Sequence, residues 1–371
     1  MRLCDRDEYK CQEYGTHYYM ALLKACGNQK NAERASRIHD DILRRGLLEK
    51  DISLGNTLVS VYAKCNALAK ARQAFDQISV RDVVSWNALI SGYAQGGHSA
   101  EALNCFEQMR REGLYPSSVT YICVLKACAS IREIERGEII HAEIVREGFL
   151  QKHVSVGNAL VDMYAKCGAI LKAQEVFDEL ELRNIVSWNA LITGYANHEY
   201  GEEALKCFQR MQRDGFSANK VTYLCLLKAC GSIGIAEKGK EVHDEIVRER
   251  LLEKDPLVGT ALVDMYAKCS ALLQAWEVFD NLPVWDLVSW NAIISGYAQH
   301  GKDEEALNCL ETMQQAGISP NPITFICTLK ACGSVGAVEK GREIHDEIVC
   351  NGLVEKKLTL GNALVNMYAK C

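Results

Sequence analysis

Trp86, Trp188 and Trp290 stand 102 residues apart in nearly identical surroundings: VVSWNALISGYAQ, IVSWNALITGYAN and LVSWNAIISGYAQ. Self-similarity at a fixed period means a repeat architecture, and this constrains the chain more than any local motif. KAC begins at Lys24, Lys126, Lys228 and Lys330, and YAKC begins at Tyr62, Tyr164, Tyr266 and Tyr368. From about Thr16 the chain is therefore one 102-residue block repeated roughly three and a half times. A globular chain of 371 residues would suggest two or three domains. Stacked repeats instead form one continuous body in which each unit touches mainly its neighbours.

The block divides again. Tyr19, Gly55, Trp86, Tyr121, Gly157, Trp188, Tyr223, Gly259, Trp290, Phe325 and Gly361 each precede an apolar pair by three residues, with gaps cycling through 36, 31 and 35. Each subunit reads as two helices. Trp86, Leu89, Ile90 and Tyr93 make one apolar stripe at helical spacing, and Ala102, Leu103, Phe106 and Met109 make a second. Gly113 then acts as a stop signal before Pro116. A single hairpin cannot bury both stripes, but stacking can, at roughly 25 cal/mol per Å² of apolar area. The expected result is an all-α solenoid of about twenty helices with two faces and a groove.

Composition excludes several functions. The chain is 48% hydrophobic with five prolines, and no apolar stretch reaches the length of a membrane span. Asp5, Asp7, Glu8 and Glu13 make the start of the chain unlike an acid-poor targeting peptide. Most of the seventeen cysteines keep the repeat phase: Cys26, Cys128, Cys230 and Cys332 in one register, Cys65, Cys167, Cys269 and Cys371 in another. No C-x-x-C pair occurs, so neither zinc nor disulfide-exchange spacing is present. We read the cysteines as small buried hydrophobes of a reducing compartment, and no metal or other cofactor is expected. The net charge of −6 argues against attraction to bulk polyanion, so any nucleic-acid contact must be local and specific.

Two polar rows keep the beat. Asn87, Asn189 and Asn291 follow each tryptophan and lie about 100° from the apolar stripe. Asn56, Asn158, Thr260 and Asn362 hold the same phase in the 31-residue subunits. Equally spaced short polar side chains on one edge of a solenoid form a surface able to read the exposed edges of single-stranded bases. Lys64, Lys166, Lys268 and Lys370, with Lys126, Lys228 and Lys330 near the same edge, form a cation row suited to phosphates. Two other patterns are set aside. His141, His243 and His345 each stand two residues before a glutamate, as in zinc deaminases, but no P-C-x-x-C follows and the histidines recur with the block. No Ser/His/Asp set or phosphate-cradling loop stands outside the repeat phase, so no catalysis is expected of this chain.

SWNALISGYAQ-x-G, ALNCFEQM, VLKACAS, GNALVDMYAKCGA and KAQEVFDEL stand in this order with a 35-36-31 cycle, and in this the chain resembles the plant-type pentatricopeptide repeat proteins of the PLS class. The resemblance implies a right-handed superhelix of stacked helix-turn-helix repeats. By that match, residues 1–15 are a non-repeat segment or cap and 16–371 the array. L units span 16–51, 118–153, 220–255 and 322–357; S units span 52–82, 154–184, 256–286 and, truncated, 358–371; P units span 83–117, 185–219 and 287–321. The last unit stops inside a hairpin, so a fragment of a longer protein is expected, with Ala363, Leu364, Val365 and Met367 lacking a partner helix.

The resemblance further implies sequence-specific binding of single-stranded RNA, an organellar transcript, in mitochondrion or chloroplast. Each base is read by the fifth and last residues of a unit, and the last residue is also of N-capping type. Asn56 with Asp82 implies uridine and Asn87 with Ser117 cytidine. Asn158 with Asn184, Asn189 with Asn219, and Asn291 with Asn321 imply pyrimidine, and Thr260 with Asp286 guanosine. Val84, Val186 and Val288 occupy the place where the family wedges an aliphatic side chain between bases. L units carry Ile122, Leu224 and Ile326 at the fifth place and are left as gaps. Cytidine-to-uridine editing would be supplied by a further domain, a deaminase in trans or other editing factors. The alternative is a protein-interaction scaffold like tetratricopeptide arrays.

Overall fold

The structure, a computed structural model, describes residues 15–49, 51–353 and 358–371. Apart from Gly15, the expected N-terminal segment 1–15 lies outside the described residues, as do 354–357 at the end of the last expected L unit. The described residues form 23 helices and no strand. Contacts divide the chain into two units, with the boundary between Ala190 and Leu191.

In the first unit, α1 (Thr16–Asn28), α3 (Ile52–Lys64), α5 (Val83–Gln95), α7 (Ser118–Ile131) and α10 (Val154–Lys166) are first helices of hairpins. Their partners are α2 (Ala32–Arg44), α4 (Leu68–Asp76), α6 (Ser99–Arg111), α8 (Ile134–Arg146) and α11 (Ile170–Glu179). A short α9 (Phe149–Lys152) follows α8, and α12 (Ile185–Asn197) carries the boundary. The second unit holds α13 (Gly201–Arg213), α14 (Lys220–Ile233), α15 (Ala236–Arg248), the short α16 (Leu251–Lys254), α17 (Pro256–Lys268) and α18 (Leu272–Asp280). It continues with α19 (Leu287–Gln299), α20 (Asp303–Gln315), α21 (Pro322–Val335), α22 (Val338–Cys350) and α23 (Leu358–Lys370). Every first helix begins at the residue with which a repeat unit opens.

Within each unit, successive first helices pack side by side: α1, α3, α5, α7 and α10 in one, α14, α17, α19, α21 and α23 in the other. The second helices α2, α4, α6 and α8 in one unit and α15, α18, α20 and α22 in the other each pack on their own first helix and on the next one. The same contact recurs where a 31-residue unit meets the 35-residue unit after it. Phe75 of α4 meets Trp86 of α5 edge-on at 4.6 Å between centroids, and Phe177–Trp188 and Phe279–Trp290 repeat this at 4.7 Å. All three tryptophans are fully buried, and truncating such a side chain typically costs about 3–5 kcal/mol.

The 31-residue units are shorter because their second helix is. It has 9 residues in α4 and α18 and 10 in α11, against 13 in α6. The chain then turns back early, and its tail residue fills the space that a tryptophan takes in the next unit. Gly55, Gly157 and Gly259 stand at that place, and a Cβ there would come within 2.8, 2.4 and 2.4 Å of Ile78, Leu180 and Leu282. Gly113, Gly215 and Gly317 end the 13-residue second helices of the 35-residue units in left-handed conformations.

Two expectations need amendment. Leu364 and Met367 of α23 are buried in the cluster formed with α21 and α22, because the preceding hairpin covers that face; Val365, on the opposite face, is 71% exposed. The cysteines are not uniformly buried. Cys26, Cys105, Cys128, Cys207, Cys230, Cys309 and Cys332 are buried, whereas Cys65, Cys123, Cys167, Cys225, Cys269 and Cys327 are half-buried at helix ends or flanks. Burial drives the Cys128, Cys230 and Cys309 thiols up to about 12, far from the reactive thiolate.

At Gly92 neighbouring first helices approach closely, since a Cβ there would lie 2.6 Å from Cβ of Ala63 on α3, and Gly296 repeats this against Ala267. Helix propensity favours Ala over Gly by about 0.5–1 kcal/mol, whereas overpacking costs about 1–3 kcal/mol. Gly92→Ala should therefore lower the urea unfolding free energy, and adding Ala63→Gly should restore it. A single variant as stable as the parent would contradict this packing.

Candidate functional site

The polar row lies at the N-terminal ends of the first helices, where three residues from two consecutive units meet. The last residue of one unit is the N-cap of the next first helix. Asp82, Ser117, Asn219, Asp286 and Asn321 each accept from the backbone N–H three residues on, and each closes a capping box with the hydroxyl there. Asn184 does the same with Ser187, accepting its N–H and that of Val186 at 3.0 Å. Such caps satisfy N–H groups that the helix itself leaves unpaired.

The fifth-place amides are tied to the same caps. In the first unit Nδ2 of Asn87 donates to Oγ of Ser117 at 3.0 Å, Nδ2 of Asn158 to Oδ1 of Asn184 at 3.2 Å, and Nδ2 of Asn56 to Oδ1 of Asp82 at 3.4 Å. Where the cap is neutral, the box hydroxyl also donates to the amide carbonyl: Thr120 to Asn87, Ser187 to Asn158 and, in the second unit, Thr324 to Asn291, each at 2.6 Å. The amide is thereby oriented, its oxygen satisfied from below and its nitrogen directed at the cap.

An acidic cap changes the circuit. The Ser85 hydroxyl donates to the Asp82 carboxylate at 2.9 Å, and Oδ1 of Asn56 is left buried without a partner. Burial pushes the Asp82 carboxyl up, but the Ser85 N–H and hydroxyl and the Asn56 amide outweigh it and hold the group below the ordinary carboxylate range. At the second acidic cap, Ser289 turns its hydroxyl to the backbone oxygen of Asp286, and Thr260 donates to the carbonyl of Pro256 at 3.2 Å. No hydrogen bond joins Thr260 to Asp286; Thr260 is buried and Asp286 exposed. Cap identity thus sets which donors and acceptors the pair turns outward. Asn189, on α12, is half-buried, and Asn219 is exposed.

Val84, Val186 and Val288, at the second place of their helices, are 58, 55 and 58% exposed. They do not pack at the helix start. Val119, Val221, Leu257 and Ile323 hold the same phase and are about as exposed; these positions, like the box hydroxyls, escaped the sequence reading although both recur at constant phase. The cation row is uneven. Lys64, Lys126, Lys228 and Lys330 are exposed, while Lys166 and Lys268 pair with Asp162 and Asp264 one turn earlier, at 2.8 and 2.6 Å. Ile122, Leu224 and Ile326 are half-buried at the fifth place of the 36-residue units.

The H-x-E histidines, and His39 at the same place of the first hairpin, lie on the second helices and are structural. Nδ1 of His39, His141, His243 and His345 sits 3.2, 2.9, 3.0 and 3.0 Å from the hydroxyl of Tyr62, Tyr164, Tyr266 and Tyr368 on the following hairpin. Burial lowers the pKa of the first three, which favours neutral imidazole. Among the described residues no group of His, Cys, Asp and Glu could hold a metal ion, and no helix is long and apolar enough to cross a membrane.

The PPR repeat family model matches residues 81–130, 183–232 and 285–334, and a second PPR repeat model matches 158–185 and 221–251. A chloroplastic pentatricopeptide repeat-containing protein of Arabidopsis thaliana is 36% identical over 353 residues, covering 95% of this chain and 56% of that protein. A mitochondrial one from the same plant is 41% identical over 311 residues, covering 83% and 48%. The chain spans about half the length of the curated relatives it matches. Among solved structures, the pentatricopeptide repeat protein PPR10 in complex with an 18-nt psaJ RNA element superposes with TM-score 0.72 over 84% of this chain and 47% of that one, at 18% identity. That likeness is one of fold.

Removing a hydroxyl from the junction should leave the fifth-place carbonyl unsatisfied. We expect Thr120→Val to cost about 1–3 kcal/mol in urea unfolding and Thr120→Ser, which keeps the donor to Asn87, to recover most of it. Equal stability of the two variants would mean that the Thr120–Asn87 bond contributes nothing.

Proposed function

The chain belongs to the pentatricopeptide repeat family, and on that basis we propose that it binds single-stranded RNA sequence-specifically through the fifth and last residues of its P and S units. The observation that carries this reading is the hydrogen-bonded pairing of Asn56 with Asp82, Asn87 with Ser117 and Asn158 with Asn184, repeated at the start of successive first helices. Each pair combines donor and acceptor groups on a rigid base, which is what recognition of a base edge requires. The exposed Val84, Val186 and Val288 beside them supply apolar surface for the faces of the bases. The 35-36-31 cycle supports assignment to the PLS class. A protein scaffold of tetratricopeptide type needs hairpins but has no use for polar pairs in register.

In this reading the preference is uridine, cytidine, gap, two pyrimidines, gap, guanosine, pyrimidine, gap, running 5′ to 3′ along the units. The exposed lysines Lys64, Lys166 and Lys268 would follow the phosphates, each contact contributing about one to the salt slope; the Asp162 and Asp264 pairings reduce that contribution for the last two. The chain would act in a chloroplast or mitochondrion, as its relatives' names indicate for them. It would hold a transcript for processing, cytidine-to-uridine editing foremost, with the chemistry done by another domain or partner; the chain itself is assigned no catalytic role.

Selection from a random RNA pool tests this. The pattern above should be enriched, and Asn87→Ala should erase the preference at its nucleotide while binding falls about tenfold or less, the loss of one hydrogen-bonding side chain. Enrichment of no pattern, or an unchanged preference in the Asn87→Ala and Asn189→Ala variants, would overturn the assignment.

A further inference from the structure

The third 31-residue unit breaks the repeat at two positions on one surface. Where the first repeat carries Arg72 and Arg81 and the second Gln174 and Arg183, the third carries Trp276 and Trp285. In the first repeat Arg81 lies over the Phe75 ring at 4.8 Å from its centroid and donates to the backbone oxygens of Phe75 and Asp76. Arg72 pairs with the Asp76 carboxylate at 3.1 Å. Arg183 repeats the arrangement over Phe177 at 5.0 Å. Trp285 takes over both tasks: its ring lies parallel to Phe279 at 5.7 Å and 4°, and its indole N–H donates to the Phe279 oxygen at 3.1 Å. The local fold needs no tryptophan here, since arginine serves the other two repeats.

The surface is what changes. Trp276 and Trp285 are 38 and 40% exposed, beside Leu273 at 84% and Val284 at 65%. Asp280, the counterpart of Asp76, remains an exposed carboxylate, and no cation among the described residues pairs with it. Glu277 is exposed next to Trp276, and the other flank of α18 borders a cleft of about 1020 Å³ whose charged lining is Glu237, Asp244 and Glu277 with Lys240 and His243. Two indoles thus stand where guanidinium groups stand in the first repeat, and the carboxylate that Arg72 pairs with there has no cation here among the described residues.

We propose that Trp276, Trp285 and Asp280 form a docking site for an arginine-bearing, apolar segment of a partner protein, whose guanidinium stacks on the indoles and pairs with the Asp280 carboxylate. Indole faces are the best aromatic partners of a cation. Arginine is weakly hydrated, stacks flat on a ring and forks onto a carboxylate, which an ammonium does less well. Leu273 and Val284 supply the apolar rim, and tryptophan and arginine are enriched among the residues that carry most of the binding energy at interfaces. A polyanion is disfavoured by the carboxylates at Asp280 and Glu277, and the site lies on the second helix and its following turn, ending one residue before the cap Asp286.

The test uses the full chain and a short fluorescent leucine–arginine peptide, with a citrulline counterpart that keeps shape but loses charge. The site should bind the arginine peptide about tenfold more tightly than the citrulline one, the factor that ~1.4 kcal/mol gives. Trp276→Arg/Trp285→Arg restores residues the fold already accommodates in the first repeat; it should lose that preference while its thermal unfolding stays that of the parent. The proposal falls if the double variant still prefers the arginine peptide, if the parent does not distinguish the two peptides, or if single-stranded RNA, not the peptide, binds in a manner that depends on Trp276 and Trp285. RNA selection by the Asn87 and Asn189 pairs is a separate readout, so failure of one does not imply failure of the other.

Discussion

One junction recurs through the chain and fixes the site: the hydrogen-bonded triangle of a cap, the hydroxyl three residues after it and the fifth-place amide of the preceding unit. Asn87, Ser117 and Thr120 show it in full. The cap must satisfy backbone N–H groups for the helix to start, and the same atoms hold the neighbouring amide in place. Stability and presentation of the polar edge therefore draw on the same few bonds. A residue that suits the helix start also decides what its neighbour can offer, as the contrast between Ser117 and Asp82 makes plain.

The hydrophobic layer sets the spacing of these junctions. Trp86 against Phe75, Gly55 beneath Ile78 and Gly92 against Ala63 fix how far one first helix stands from the next. These contacts are close-packed and recur within each unit, so the polar pairs inherit a constant phase from the core. The histidine–tyrosine bonds do the same on the second-helix side, which is why the H-x-E words keep the beat without serving catalysis.

Much of this was legible in the residues alone. The 36-31-35 gaps mark the hairpins because each gap is a packing distance, and cap types such as Asp82 and Asn219 mark where first helices open. The polar row was legible from its phase relative to Trp86. What stayed hidden depends on contacts between units. Nothing in a single helix tells that Thr120 bonds Asn87 and not solvent. The short helices α9 and α16 arise from tails whose leucines fold back, as Leu150 does beneath Gly157. The partial neutralisation of Lys166 could have been read from Asp162 one turn before it, a local pairing that the regularity of the lysine row obscured. Trp276 and Trp285 were visible as departures from the repeat, but their meaning required seeing that Arg81 already fills the same role.

The account rests on the cap–amide pairs being the surface that meets bases. A crystal structure of the chain with a matched single-stranded oligoribonucleotide tests this most directly. It should place one base edge within about 3 Å, hydrogen-bond distance, of each pair such as Asn87 with Ser117, and a base face against Val84. RNA lying along the second helices, or bases pointing away from these pairs, would contradict it.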